Sequence, residues 1–192
     1  MSSSADFIVV DTEGRDTLNE IAVLDAQGSL LFEGFVQGHE AGHDLYPLAE
    51  LLPRFTAFAE KKKIVCHYAE HDEQVLRKSF AAAQLPWPGF HFICTWELAK
   101  SCFPDLSSYS LEHLSKSLHL RVEHRYFNAQ AAHSARYDAL FTYQLYRKMQ
   151  HEKMYSQSSK NSKEGLTNPF SNTRVDSPFQ QHIDLNDVHH DA

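Results

Sequence analysis

The chain has 192 residues, of which 42% are hydrophobic and 22% are charged. This composition is typical of one globular domain and argues against wholesale disorder. No run approaches about eighteen consecutive apolar residues, so we predict no membrane span. Residues 1–6 lack the basic and apolar regions of a signal peptide. Three cysteines without CxxC spacing argue against a disulfide framework or a zinc ribbon, and we therefore expect a cytoplasmic protein.

The net charge of −7 limits the classes of partner. Residues 1–155 contain 15 Lys and Arg against 20 Asp and Glu, which gives net −5, and the remaining residues carry net −2. An acidic domain does not suit a tight, non-specific DNA-binding protein. The charge does not exclude a nucleic-acid enzyme that holds cations in an acidic site.

Short apolar runs at the start of the chain predict three strands in an antiparallel meander. These runs are residues 7–10, 18–24 and 30–36. Helical spacing of apolar residues then predicts a helix from about Leu45 to Glu60.

Further along the chain, strands alternate with helices. We predict strands at 64–66 and 90–94, and helices at 70–83, 96–102, 111–118 and 132–151. This order predicts an α/β fold with a five-stranded mixed sheet flanked by helices. Residues 156–192 contain six Ser, four Asn and three Gln, with apolar residues scattered singly. We therefore predict one domain at 1–155, followed by a mostly disordered polar tail.

Two carboxylates end the first predicted strand. Asp11 and Glu13 are two residues apart, so their side chains emerge on the same side of a strand. Adjacent like charges repel unless a cation lies between them. Carboxylate oxygens are the ligands that Mg²⁺ and Mn²⁺ prefer. An isolated Asp-x-Glu is a weak signal, however, and a solvated strand end is the alternative.

Three more residues of this chemistry lie further along the chain. Asp72 falls in the first turn of the predicted helix at 70–83, where an acidic residue also stabilises the helix dipole. His133 and Asp138 stand near the start of the last helix. Because five helical residues turn through about 500°, these side chains converge only if His133 belongs to the preceding turn. There, an imidazole can take a proton from water while the helix fixes Asp138 as a metal ligand.

The ordered set of motifs resembles the DEDDh 3′–5′ exonucleases, the DnaQ-like proofreading and ribonuclease T-like family with a ribonuclease H-like fold. The resemblance rests on Asp11-x-Glu13, on Asp72 after a His-x-Ala turn and on His133-x-Ala-x-x-Asp138, and it spans roughly residues 6–150. It implies that the four carboxylates hold two Mg²⁺ or Mn²⁺ ions. It also implies that His133 is the general base and that the products are nucleoside 5′-monophosphates.

Several positions depart from the common pattern of that family, among them Cys94, which precedes Thr95 where Asp is usual. Gly14 replaces the usual Thr after the first motif, and Tyr68 and His71 stand where Asn and Phe are frequent. The resemblance implies that residues at these positions border the terminal nucleotide. We therefore predict that Gly14, Tyr68 and His71 bind substrate, with contacts that differ from the usual ones.

The sequence leaves the substrate and the partners open. We expect action at single-stranded nucleic acid 3′ ends, with DNA favoured. The alternatives are RNA trimming of the ribonuclease T or oligoribonuclease type and a proofreading-like subunit that mainly binds a polymerase complex. DNA and RNA differ at the 2′-OH, and no motif reports on that contact.

In the tail, Gln180–Leu185 resembles the short peptide that docks bacterial replication proteins on the sliding clamp.

Overall fold

A mixed six-stranded sheet organises the part of the chain that the structure describes. The structure, a computed structural model, covers residues 6–36 and 45–164, with side chains as far as residue 152. The strands are β1 (Phe7–Gly14), β2 (Leu18–Leu24), β3 (Leu30–Val36), β4 (Leu45–Tyr46), β5 (Lys63–Cys66) and β6 (His91–Cys94). Their order across the sheet is β4-β3-β2-β1-β5-β6. The predicted α/β class with a mixed sheet is confirmed.

The first three strands form the predicted antiparallel meander. In its register, Asp11 lies opposite Ala22 and Glu13 lies opposite Glu20. Strand β5 runs parallel to β1, and β6 runs parallel to β5. The carboxyl ends of these three strands therefore lie at one edge of the sheet, which we call the carboxyl edge.

The sheet has one strand more than the five predicted. Leu45 and Tyr46 form a short parallel strand beside Phe35 and Val36, where the sequence predicted the start of a helix. Two residues are too few to show a strand period, so this strand leaves no pattern in the sequence. The helix begins at Leu48, after Pro47, which has extended backbone angles.

Helices cover both faces of the sheet. They are α1 (Leu48–Ala59), α2 (Ala69–Ala82), α3 (Thr95–Cys102), α4 (Leu111–Ser117) and α5 (Ala135–Glu164). A small hairpin that the sequence did not predict, β7 (Arg121–Val122) with β8 (Arg125–Tyr126), precedes α5. Among the described helices, none is both long and apolar enough to cross a membrane.

Helix α5 departs from its prediction at both ends. It begins at Ala135 rather than near residue 132, and it continues beyond the proposed domain boundary at 155 to Glu164. The domain boundary at 155 and the disorder of the tail stay predictions. Residues 156–164 contain no Gly or Pro, the residues that most often end a helix. The rest of the predicted tail, with Gln180–Leu185, lies outside the described residues.

Strand β1 lies at the centre of the core and separates two layers. Ile8 and Val10 pack in a cluster with α1 and α2, whereas Phe7 and Val9 pack in a cluster with the start of α5. Each fully buried aliphatic side chain contributes about 1.5–3 kcal/mol. Because side chains alternate along a strand, this packing fixes which layer each later residue of β1 faces.

Candidate active site

The acidic residues of β1 lie at the carboxyl edge, on the side of the sheet that α5 covers. Asp11 and Glu13 continue the alternation of Phe7 and Val9, so both face α5, while Thr12 faces α2. Burial, together with the charges of Asp72 and Asp138, raises the pKa of Asp11 well above its usual value of 3.8. Burial and the charge of Asp138 also raise the pKa of Glu13.

Asp72 reaches the same edge from the opposite layer. It lies in the first turn of α2, and 2% of its surface is exposed. Its Oδ1 accepts hydrogen bonds from the Thr12 amide at 3.0 Å and from the Thr12 hydroxyl at 2.9 Å. Burial raises the pKa of Asp72 to about 7, although both bonds from Thr12 act to lower it. Buried Asp72 and partly buried Asp11 therefore form an acidic pair whose ionised state is unfavourable without a cation.

His133 and Asp138 converge because His133 precedes the helix. His133 has a positive φ of 68°, and α5 begins two residues later. The His133 amide donates to Asp138 Oδ2 at 3.1 Å, which holds the loop against the first turn. Burial raises the pKa of Asp138, whereas the His133 amide lowers it.

Glu13, His133 and Asp138 form a compact donor set. One ligand atom from each residue lies within 4.8 Å of the others. Asp138 Oδ1 is buried and has no hydrogen-bond partner within the described structure. A carboxylate oxygen of this kind, beside two other ligand atoms, is one that a bound ion would satisfy. Carboxylates with one imidazole suit a hard divalent cation such as Mg²⁺ or Mn²⁺, and the residues present fit that group.

Sequence reasoning missed Glu20, which lies on β2 opposite Glu13. Its Oε1 accepts hydrogen bonds from the Ala135 amide at 2.9 Å and from Ser134 Oγ at 3.3 Å. Glu20 therefore caps the start of α5 and holds the loop that carries His133. Like charges directly opposite each other destabilise a sheet, so two glutamates paired across the meander are a signal that a sequence can show. The sequence does not show what Glu20 binds, because its partners are more than a hundred residues away.

Sequence reasoning also missed the structural role of His67. Its Nε2 lies 3.0 Å from the Tyr109 carbonyl, and its Nδ1 lies 2.9 Å from Thr95 Oγ1. Because a carbonyl can only accept, Nε2 carries the proton. The Thr95 hydroxyl also donates to the Cys66 carbonyl at 3.2 Å. Burial lowers the pKa of His67 to about 4, so the ring is neutral at pH 7. It ties the end of β5 to α3 and to the segment before α4.

The three predicted substrate-binding residues occupy different positions around this centre. Gly14 ends β1, where a Cβ would lie 2.1 Å from the Thr17 carbonyl oxygen, so the turn itself requires glycine. Tyr68 is exposed and has left-handed backbone angles, with φ 58°. Asn adopts this region more readily than Tyr, so the departure at this position strains the backbone. His71 is exposed, and its amide donates to the Tyr68 carbonyl at 3.0 Å.

The fold and the centre define a class, an α/β domain with a cation-fitting acidic site at the carboxyl edge of its sheet. Residues 37–146 match the family model RNase_T, described as Exonuclease, which covers more than half of the chain. The chain therefore belongs to this DnaQ-like exonuclease family. The matched range contains Asp72, His133 and Asp138 and begins after Asp11 and Glu13.

Solved structures of low identity share the ribonuclease H-like fold. One, described as Exonuclease X in complex with 5′ overhanging duplex DNA, gives a TM-score of 0.56 at 22% identity and covers 76% of this chain and 91% of that chain. Another, Brucella melitensis NrnC with bound Mg²⁺, gives a TM-score of 0.51 at 16% identity and covers 84% of this chain and 80% of that chain.

A curated relative matches a shorter part of the chain. The DNA polymerase III PolC-type of Lactococcus lactis subsp. lactis (strain IL1403) is 28% identical over 88 residues, which are 44% of this chain. The match spans 5% of that much longer protein.

Proposed function

We propose that the protein is a metal-dependent 3′–5′ exonuclease that acts on single-stranded nucleic acid ends and releases nucleoside 5′-monophosphates. The observation that carries the proposal is the convergence of Glu13, His133 and Asp138 around the unpartnered Asp138 Oδ1. The acidic pair of Asp11 and Asp72 beside this set supplies further carboxylates, which supports a site for two Mg²⁺ or Mn²⁺ ions.

In this proposal each residue of the chain has a separate task. Cations held by Asp11, Glu13, Asp72 and Asp138 would lower the pKa of the attacking water and stabilise the leaving 3′-oxygen. His133 accepts the proton of that water, a role that suits an imidazole near neutral pH. Its exposure leaves the ring open to water and substrate.

Positioning is the second part of the proposed mechanism. Glu20 and the His133 amide fix the loop, so that the imidazole stays close to the carboxylates. Gly14, Tyr68 and His71 would border the terminal nucleotide. A fixed geometry of this kind contributes to the rate because the reacting groups need no further ordering.

DNA is favoured as the substrate. The solved structure named Exonuclease X contains duplex DNA, and the curated relative is named a DNA polymerase.

Two further predictions are separate from the activity. They are a cytoplasmic setting, and docking on a polymerase or sliding clamp through Gln180–Leu185. The clamp peptide belongs to residues outside the described structure.

Digestion of matched oligomers, each labelled at the 5′ end, tests the proposal. Single-stranded DNA, a duplex with a mismatched 3′ end and single-stranded RNA are incubated with Mg²⁺, Mn²⁺ or EDTA. The expected result is a ladder that shortens from the 3′ end, faster on DNA, absent in EDTA and absent in Asp138→Asn. Faster RNA shortening would establish the RNA-trimming alternative. The absence of shortening on every substrate would contradict the nuclease and favour a binding subunit.

A further inference from the structure

Two cysteines lie opposite each other where strands β5 and β6 end. In the parallel register of these strands Cys66 pairs with Cys94, and each cysteine is the last residue of its strand. Their side chains face the same layer of the fold. Cys66 belongs to the buried cluster that includes α1 and α2, and Cys94 packs against that cluster from a partly exposed position. Both cysteines are free thiols.

The strand spacing brings these two thiols within reach of each other. Neighbouring strands lie about 4.8 Å apart, and a disulfide joins residues whose Cα atoms are about 4.4–6.8 Å apart. Side chains stand nearly perpendicular to a sheet, so the two Cβ atoms are about as far apart as the strands. In a disulfide the Cβ atoms are about 3.5–4.5 Å apart, so closing the bond would draw the ends of β5 and β6 together. A disulfide strained in this way is readily reduced again.

The end of β5 is also part of the acidic centre. The Cys66 thiol donates a hydrogen bond to Asp72. Burial raises the pKa of this thiol well above its usual value of 9.0, so the thiol keeps the proton that it donates. The hydroxyl of Thr95, the residue after Cys94, donates to the Cys66 carbonyl at 3.2 Å. A bond between the two cysteines would therefore remove a donor from Asp72 and shift the strand end that leads into α2.

The third cysteine, Cys102, lies outside this arrangement. It ends α3 and packs against a separate cluster with α4 and α5. Eight steps along the helix separate it from Cys94, which is about 12 Å at the rise of an α-helix. Cys102 is partly exposed, as Cys94 is. It is therefore a matched control, a thiol of similar access that has no cysteine beside it.

We propose that Cys66 and Cys94 are a reversible oxidation site, at which hydrogen peroxide forms a disulfide that disables the neighbouring cation site. The effect on the cation site rests on the proposed function, whereas formation of the disulfide does not. The partly exposed Cys94 is the thiol that peroxide reaches, and the buried Cys66 is the thiol that completes the bond.

The reaction balances in two steps. The Cys94 sulfur attacks one oxygen of the peroxide, the O–O bond breaks, and a sulfenic acid and one water form. The Cys66 sulfur then attacks the Cys94 sulfur, the S–O bond breaks, and the hydroxyl leaves with the Cys66 proton as a second water. The two cysteines together lose two electrons and two hydrogens, and the peroxide is reduced to two waters. A thiol reductant reverses the bond by exchange.

Peptide mass spectrometry of the full chain tests the bond. The reduced protein is treated with hydrogen peroxide in EDTA, the peroxide is removed with catalase, and free thiols are blocked under denaturing conditions before digestion with trypsin. Cys66 and Cys94 fall on the tryptic peptides 64–77 and 79–100, and Cys102 falls on the next one. We expect peptides 64–77 and 79–100 to be joined, with the loss of two hydrogens, and to separate after treatment with dithiothreitol.

Isothermal titration calorimetry with Mn²⁺ tests the effect on the cation site. The affinity of the oxidised protein should fall about 10- to 100-fold, the loss typical when a partner that orients a metal ligand is removed. Reduction, followed by removal of the reductant, should restore the affinity. Cys94→Ser cannot form the bond and should keep the wild-type affinity before and after peroxide. Cys102→Ser should form the bond and lose affinity as the wild type does.

Four results would overturn the inference. They are separate peptides 64–77 and 79–100 after peroxide, a bond to Cys102 in their place, an unchanged Mn²⁺ affinity once the bond is complete, and an equal loss of affinity in peroxide-treated Cys94→Ser. The proposed function fails separately. Oligomers that stay intact with the reduced protein and Mn²⁺ refute the nuclease and keep the oxidation site. Shortening that continues at the same rate after complete oxidation refutes the oxidation site alone.

Discussion

Asp72→Asn should stabilise the metal-free protein at neutral and alkaline pH. The Asp72 carboxyl is buried beside Asp11, and burial raises its pKa from 3.8 to about 7. A raised pKa in the folded state means that ionisation opposes folding. The cost is absent below pH 3.8, grows as the pH rises towards 7 and is complete above that value. Asparagine cannot ionise, and its carbonyl oxygen can still accept both hydrogen bonds from Thr12.

The size of this stabilisation follows from the shift in the pKa of Asp72. A difference of about 3 pH units corresponds to about 4 kcal/mol of unfolding free energy at full ionisation. For a protein of this length, that is a rise of about 8–16 °C in Tm. Between pH 4 and 7 the advantage of Asp72→Asn should grow by about 1.4 kcal/mol per pH unit. A bound divalent cation should make wild type more stable than Asp72→Asn, because the cation stabilises the ionised wild-type site.

Urea unfolding in EDTA, followed by circular dichroism at several pH values, measures the advantage directly. Ser79→Ala serves as a control because Ser79 is another buried polar residue of α2 but lacks an ionisable group. Its effect on stability should not vary with pH. Parallel stability curves for wild type and Asp72→Asn between pH 4 and 8 would refute the reasoning, as would a variant that is less stable at pH 8 in EDTA.

The remaining predictions concern activity. Asp138→Asn should abolish nuclease activity with the fold intact by circular dichroism, and unchanged turnover with Mg²⁺ or Mn²⁺ would argue against the metal site. His133→Ala should lower the rate about 10²- to 10⁴-fold and remove the lower limb of the pH–rate profile. Loss of metal affinity with a normal rate at saturating metal would instead identify His133 as a ligand. Glu20→Ala should cost about 0.5–2 kcal/mol of stability, as for other lost caps, and lower kcat. Glu20→Gln, which keeps an acceptor oxygen, should restore both, and equal defects in the two variants would contradict the capping role.

The sequence predicted those elements whose side chains repeat with a clear period. The buried runs of β1 and β2 and the amphipathic helices α1 and α2 are of this kind. Strand β4 and the small hairpin are two residues per strand and show no period. The extension of α5 beyond residue 155 has a different reason, because a change to a polar composition does not mark where a helix ends.

The sequence was similarly informative about residues close to one another along the chain. The spacing of Asp11 and Glu13 predicted a shared side of β1. Helix geometry required His133 to precede the helix if it was to meet Asp138, although the helix itself was predicted from residue 132 and begins at Ala135. Glu20 and His67 act through partners far away in sequence, and no local pattern records such contacts. Their roles become visible once the strands are paired and the helices are docked.

Thr12, the residue between Asp11 and Glu13, explains how the site combines side chains from both layers of the fold. Alternation along β1 points Asp11 and Glu13 towards α5, where Asp138 lies, and points Thr12 towards α2. The Thr12 amide and hydroxyl then hold Asp72 at the start of α2. Three consecutive residues thus connect two helices that lie on opposite faces of the sheet. An Asp-x-Glu that merely ended a solvated strand would have no need of a hydrogen-bonding residue between its carboxylates.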